Sequence, residues 1–466
     1  MKREVKHNGH DSESLKKRAL NVSIKEGTAA SISANIGDNN IIPFALLLNA
    51  KPIHIGILSS FSGFLYQLAQ FVGIKMMNRL TRKKIVLWFV FFQSLMWLFI
   101  GLTGFLVFKG VFDGYSIWML ILFYSLLMFF GGIAYPAWFS WMGDIVPPEK
   151  KGEYFSRRNR IATVFGLVAL LAASFFLDYY KTKGIALLAF SILFAMAFLF
   201  KFASFLLFHK QYAPKFRAKK RDYFSFWAFI KRFDNFGKFA VYHGFFNFAV
   251  MVASPFFNVY MLQELGFSYK IFAVSLVSYY IYYLIFLPVA GKFSDKYGNR
   301  RLTVITNVFF MLTPILYCFV KTPLSVILIP QLSSGIASAA SVISFSNFVY
   351  DSVSPRHRAI CMTYTNFIIG IGTLVGSLVG GLIVSYFHPS GISPYIFVFI
   401  VAAVLRGLVA VIFLPHLKEV RKVKRAPASY TFFMHPLNSL HIITTKLTQI
   451  PGTALGKFKS LRSLSP

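Results

Sequence analysis

Acid is what this sequence has least of: 16 Asp and Glu stand against 49 Lys and Arg in 466 residues, a net charge of +33. Charged residues of both signs make up only 14% of the chain, against about 25% in soluble domains. A nucleic-acid binder of this charge would spread its cations over folded polar domains, whereas here they fall between apolar stretches, so no nucleic-acid partner is expected. Cysteine is scarcer still. Cys318 and Cys361 lie in separate apolar segments, which excludes a disulfide scaffold, a thiolate metal cluster and a CxxC redox pair. Neither a metal nor a cofactor is expected. Residues 1–26 lack an apolar core followed by a small-residue cleavage site, and read as a retained polar, basic tail.

What is present is hydrophobic length. Apolar residues make up 56% of the chain, 55 of them Phe. Twelve apolar runs lie at about 27–48, 53–74, 85–108, 117–142, 161–180, 184–208, 239–262, 271–290, 302–320, 324–350, 359–387 and 394–414, most of them near the ~20 residues that cross a bilayer. They lack the alternation of barrel strands, and lipid cannot satisfy an open backbone, so each must be helical. The expectation is an all-α polytopic membrane protein with twelve transmembrane helices. Its parts are a tail (1–26), a six-helix bundle (27–208), a basic connector (209–238), a second six-helix bundle (239–416) and a basic tail (417–466).

Orientation follows from the cations. With Lys201 taken as snorkelling to the inner edge, 42 Lys and Arg fall on the side of the N-terminal tail. Six lie on the other: Lys51, Lys109, Lys181, Lys183, Lys270 and Lys321. That split is the positive-inside pattern of an even helix count with both termini cytoplasmic, in a plasma membrane. In the connector, Lys219, Lys220 and Arg221 alternate with Phe and Trp, a pattern for anionic headgroups or for a docking partner. The final tail carries Arg421, Lys422, Lys424 and Arg425 beside the membrane and has no fold of its own.

The chain also repeats itself. Asp144, Pro148, Lys151 and Asn159 lie 207 residues before Asp351, Pro355, Arg358 and Asn366. The loop after the second run, residues 74–84 with Asn78 and Arg79, aligns with residues 291–301 at an offset of 217. Asn35 precedes Pro43 by eight residues, as Asn247 precedes Pro255. The duplicated unit is six helices in one orientation, an arrangement in which a central path runs between the two halves. Gly291, Lys292, Asp295, Lys296, Gly298, Arg300 and Arg301 resemble the signature loop of the major facilitator superfamily, and the loops after the fourth and tenth helices are similar to its further landmarks. The resemblance covers about residues 27–416 and implies a secondary transporter. In the first half Asn78 stands where the signature has an acid and Thr81 where it has glycine.

The signature loop suggests a latch. Asp295, at the end of the eighth helix, can accept hydrogen bonds from the free N–H groups at the start of the fifth, near residues 152–159, when the cytoplasmic ends of the halves are together. The alternative is that it neutralises Lys292, Lys296 and Arg300 in a solvated loop. Asn78, the counterpart, is neutral and gives a weaker contact. Gly372, Gly376 and Gly380 in the eleventh helix read as a close-packing stripe.

The resemblance places helices 1, 4, 7 and 10 around the path, and these carry polar or aromatic stripes. They are Ser31, Asn35, Asp38 and Asn39; Tyr124, Tyr135 and Trp138; His243, Asn247, Ser254 and Asn258; and Ser334, Ser338, Ser341 and Asn347. Such groups avoid lipid, so they line a cavity or bond between helices. Asp38 is the one acid well within such a helix, where charge costs ~2.5–3.5 kcal/mol. It either exchanges a proton during transport or caps the break before Pro43. His243 is the second titratable candidate. Arg406, inside the twelfth helix, needs a carboxylate or several carbonyls, and sequence names none. The expected function is movement of a small solute by a monomer rocking between two states, coupled to protons or passive. A receptor that has lost transport is the other class; an enzyme would need clustered acid/base groups, which these scattered acids do not supply.

Overall fold

The structure, a computed structural model, describes residues 2–111, 114–147, 151–214, 226–231, 234–353 and 357–420, with side chains from residue 14. Pro148, Pro355, the connector cations Lys219, Lys220 and Arg221, and the tail cations Arg421, Lys422, Lys424 and Arg425 lie outside the described residues.

The first pass is broken: α1 (Lys2–Gly37) turns through a 3-10 segment (Asp38–Asn40) into α2 (Ile41–Leu47). Then come α3 (Pro52–Met76), α4 (Arg82–Phe108), α5 (Ser116–Ile145), α6 (Lys151–Thr182) and α7 (Ala186–Lys210). A short α8 (Phe226–Lys231) precedes the seventh pass, built from α9 (Asn235–Met251), α10 (Ser254–Val259) and a π-turn (Tyr260–Glu264). The remaining passes are α11 (Tyr269–Tyr297), α12 (Asn299–Phe319), α13 (Pro323–Leu328) with α14 (Pro330–Ser352), α15 (Arg358–Tyr386) and α16 (Pro394–Phe413). Among the described residues there is no strand, and eleven passes are long and apolar enough to cross a membrane. The first falls outside that measure because α1 is polar over much of its length.

Two boundaries differ from expectation. No joint separates a tail from the first span at residue 26: α1 runs unbroken from Lys2, and Ala19, Ser23, Glu26 and Ser33 are buried on one face at helical spacing. Polar residues there were read as solvated because their partners lie far off in sequence. The tenth pass, expected as one helix, breaks at Ile329, whose φ of −110° and ψ of −76° precede Pro330. Proline lacks a donor and crowds the residue before it, so the helix restarts at α14. Pro43 and Pro255 stand similarly within the first turns of α2 and α10.

Starts and ends of helices meet on two faces. On one, here the terminal face, Tyr154 donates to Leu20 O and Arg82 pairs with Asp144. On the same face of the second half, Asn235 and Lys418 exchange hydrogen bonds. The opposite face carries residues near 50, 110, 180, 266, 321 and 390. At the opposite face one hydrophobic cluster spans both halves, joining Phe44, Phe190 and Phe194 to Phe256, Tyr260 and Phe272. Toward the terminal face the buried cores separate, one around Trp141 and Ile85, another around Phe239 and Phe348.

The halves touch along two seams. The α3–α15 seam is continuous. Gly56 lies against Ser377 O and Gly381, Phe64 faces Phe367, and Asn366 donates to Gln70 Oε1 at 3.3 Å. Near its terminal end Phe71 stacks on Tyr364 with ring centroids 5.9 Å apart. The α6–α11 seam is closed at the opposite face. There Lys270 lies over Phe175 and Lys181 over Tyr269.

Candidate functional site

One carboxylate ties the second seam. Asp178, buried near the end of α6, accepts the backbone N–H groups of Tyr269 and Lys270 at Oδ1 and Oδ2, both at 2.9 Å. Ser268 accepts the next N–H, that of Ile271. The first turn of a helix has N–H groups without intrahelical partners and the positive end of the dipole. Here the other half supplies their acceptor. This contact is not the latch expected from the signature loop: its acid belongs to the fifth pass, its helix start to the eighth, and it lies on the opposite face. Asp295 is exposed at the terminal end of α11, the far end of the same helix pair.

The repeated loops do their work on the terminal face. Arg82 Nη1 lies 2.7 Å from Asp144 Oδ2 and also donates to Ser140 O. In the second half Asn299 Nδ2 donates to Asp351 Oδ2 at 2.6 Å. Arg82 and Asn299 align at the repeat offset, so the same tie is built from a guanidinium in one copy and an amide in the other. Asn299 also accepts from Ser294, whose hydroxyl receives Asn347 Nδ2 at 3.0 Å. Asn347, expected on the substrate path, therefore belongs to this terminal-face network. Arg358 donates to Val353 O and Tyr350 O, closing the end of α14. Gly298 has a φ of +95° and faces Glu419, whose carboxylate caps α12 through Arg300 N at 2.8 Å. A side chain at Gly298 would be strained and would displace that cap. Arg301 donates to Tyr297 O, Lys296 lies over the Tyr297 ring, Gly291 is half-buried, and Asn78 and Arg79 are exposed in the first-half loop.

In the first half a charged cluster crosses the bundle. Glu26 Oε2 pairs with Arg158 at 3.0 Å, and Glu26 Oε1 accepts from Ser204 at 2.9 Å. Arg158 also lies 4.9 Å from the Trp138 ring centroid. Lys201, half-buried on α7, lies within electrostatic reach of Glu26 and Asp38, so it faces the bundle rather than snorkelling to the inner edge. Asp38 opens the 3-10 turn, lies beside the Tyr124 hydroxyl, and leaves Oδ1 buried without a hydrogen bond. Neither end of that turn has a side-chain cap. Asn39 donates to Asn35, and Asn35 to Ser31, a ladder along α1 that packs against Gly166 of α6. Tyr135 contacts Tyr66, Trp138 and Phe139 by ring and is exposed on one side.

In the second half the stripes divide. Ser254, Asn258, Ser334 and Ser338 meet around a cavity of about 210 Å³, joined by Thr313, Gln331 and Arg406. His243 lies elsewhere, buried among Phe239, Tyr242, Phe246 and Phe345. Asn247 and Ser341 are half-buried. Arg406 is held by carbonyls: Nε on Ala249, Nη1 on Phe310 and Nη2 on Val250, at 3.3, 2.6 and 2.9 Å. Cβ atoms at Gly372, Gly376 and Gly380 would strike the carbonyls of Gly244, Phe248 and Val252, so the stripe does set the close α9–α15 approach.

Sequence reasoning missed Glu26, Arg82, Asp178, Arg158 and Glu419. Only Glu26 had a periodic signal, on the face shared with Ala19, Ser23 and Ser33.

The family model described as Major Facilitator Superfamily matches residues 28–236 and 239–463. The chain belongs to that superfamily. A tetracycline resistance protein, class H, from Pasteurella multocida is 25% identical over 206 residues, 41% of this chain and 49% of that protein. Multidrug resistance protein 1 of Bacillus subtilis is 23% identical over 207 residues, 44% and 51% respectively. The chain thus spans about half the length of the curated relatives it matches. Among solved structures, a nucleoside transporter aligns with a TM-score of 0.64 at 16% identity, covering 86% of this chain and 100% of that one. A bacterial homologue of the human lysosomal transporter Spinster, inward-facing and unoccupied, aligns at 0.62 and 16% identity, covering 89% and 99%. At such identity these likenesses concern the superfamily fold. It is a multi-pass integral membrane protein of a transporter family.

Proposed function

We propose that this chain moves a small organic solute across the plasma membrane by alternating access. The halves pivot on the α3–α15 seam while the α6–α11 seam opens and closes. One observation carries the reading: the halves share a core and the Asp178 tie at the opposite face, while their cores part toward the terminal face. With the terminal face cytoplasmic, as the division of cations supports at 41 to 6 once Lys201 is set aside, this state is open to the cytoplasm. The names of the curated relatives, which concern tetracycline and drug resistance, support an organic solute. The chain acts as a monomer, its passage lying between its own two halves.

Proton coupling is assigned to Asp38. Its support is the buried, unbonded Oδ1 at a helix break with no side-chain cap, set between a tyrosine hydroxyl and a lysine. The test is solute counterflow and pH-jump uptake in proteoliposomes over a solute panel. Uphill movement driven by a pH gradient and lost in Asp38→Asn is the expected result. Gradient-driven movement that survives in Asp38→Asn removes Asp38 from the coupling, and movement that only ever runs downhill makes the protein a passive facilitator. Absence of counterflow for every solute leaves a receptor-like protein.

A further inference from the structure

Arg406 is 1% exposed, one of the largest fully buried side chains in the molecule. Its three carbonyl partners are dipoles, not charges. The ion pairs Arg82–Asp144 and Arg158–Glu26 do not involve Arg406. A guanidinium has five N–H donors, and three are accounted for by Ala249, Val250 and Phe310, leaving two. An isolated charge at this depth is costly, and intramembrane charges mark solute or ion pathways.

The guanidinium borders the 210 Å³ cavity, which contains no acid. The Asn258 amide, the Ser338 hydroxyl and the second N–H of Gln331, whose first is given to Ser275, offer further hydrogen bonds, and the stacked pair Phe257 and Tyr317, with ring centroids 4.4 Å apart, forms an apolar wall. A site with one buried cation, several neutral donors and aromatic walls suits an anion with a flat apolar body. Its size, below the ~300 Å³ of drug-sized pockets, limits that body to about one ring.

We propose that this cavity inside the second bundle binds a compact organic anion, with Arg406 as counter-charge to a carboxylate. The site deepens the transport reading and rests on it: it names the solute class as small aromatic or apolar carboxylates. Nε, fixed on Ala249 O at the break between α9 and α10, also couples occupancy to the shape of the seventh pass.

The probes are benzoate, its neutral counterpart benzamide and the cation benzylamine, added to the purified full-length chain. Binding is read by saturation-transfer NMR and by thermal unfolding, neither of which needs a gradient. Benzoate should bind and raise the unfolding midpoint, with the other two weaker by about tenfold or more, as loss of a charge-assisted hydrogen bond predicts. Ser338→Leu, which fills the cavity and leaves Arg406 and its backbone acceptors unsubstituted, should fold and lose benzoate. Arg406→Lys keeps the charge and loses the fork, and should bind more weakly than wild type. Equal binding of all three probes, preference for benzylamine, no benzoate binding, or benzoate binding unchanged in Ser338→Leu each overturns the proposal. Benzoate binding together with absence of counterflow for every solute would instead sink the transport reading and leave the site standing.

Discussion

The two seams between the halves are built of different materials. The α3–α15 seam is long and uncharged: glycine against backbone at Gly56, rings at Phe64, Phe71, Tyr364 and Phe367, and one neutral amide bond. The α6–α11 seam is tied by one carboxylate on two N–H groups, flanked by Lys181 over Tyr269 and Lys270 over Phe175. Distributed packing is lost in small increments, so the first seam can tilt and stay closed. A charged cap is made or absent, which on the proposed movement makes the second seam the switch. A rocking movement needs one seam of each kind.

The largest expected effect comes from filling the continuous seam. A Cβ at Gly56 would lie 2.7 Å from Ser377 O and 3.0 Å from Gly381 Cα, and backbone cannot yield as a side chain does. Gly56→Leu should cost about 3 kcal/mol, the upper range for overpacking, visible as a lower unfolding midpoint; a wild-type midpoint would show that this seam is looser than its contacts imply. Next is Asp178→Ala, which leaves two N–H groups of α11 without their acceptor. It should favour opening of the opposite face by about 2 kcal/mol, the range for hydrogen bonds to a charged group, with Lys270→Cys becoming more reactive to a water-soluble thiol reagent. Unaltered labelling would reduce Asp178 to a local cap. The smallest is Asn366→Ala, which removes the neutral bond to Gln70. About 0.5–1 kcal/mol and no change in Lys270→Cys labelling are expected; a large labelling change would show that the first seam also switches.

The fold was readable because its signals are local and repeated. Hydrophobic runs of bilayer length placed the passes, and the Asp144 and Asp351 loops at constant offset revealed the duplication. The break before Pro43 was visible for the same reason, since proline acts on its own helix. The site was less readable because its partners are remote or are backbone. Arg406 is satisfied by carbonyls of Ala249, Val250 and Phe310, and carbonyls leave no mark in a sequence. Asp178 finds amides 91 and 92 residues away. Of the polar stripes, only part of those on the seventh and tenth passes reaches the cavity, because rotation decides which way each residue faces. Ser254, Asn258, Ser334 and Ser338 converge on the cavity, whereas His243 turns into an aromatic cluster and Asn347 into the terminal-face network. The first pass was drawn too short because Glu26 looks like a tail residue until Arg158 is beside it.

The most direct test is a pair of spin-label distances in a chain carrying Cys318→Ala and Cys361→Ala. One pair, Lys183→Cys with Lys270→Cys, spans the α6–α11 seam at the opposite face; the other, Arg157→Cys with Lys292→Cys, spans it at the terminal face. The first distance should be short and the second long, and adding Asp178→Ala should lengthen the first while shortening the second. Distances that lengthen together, shorten together or stay fixed when Asp178 is replaced would contradict alternating access through this seam.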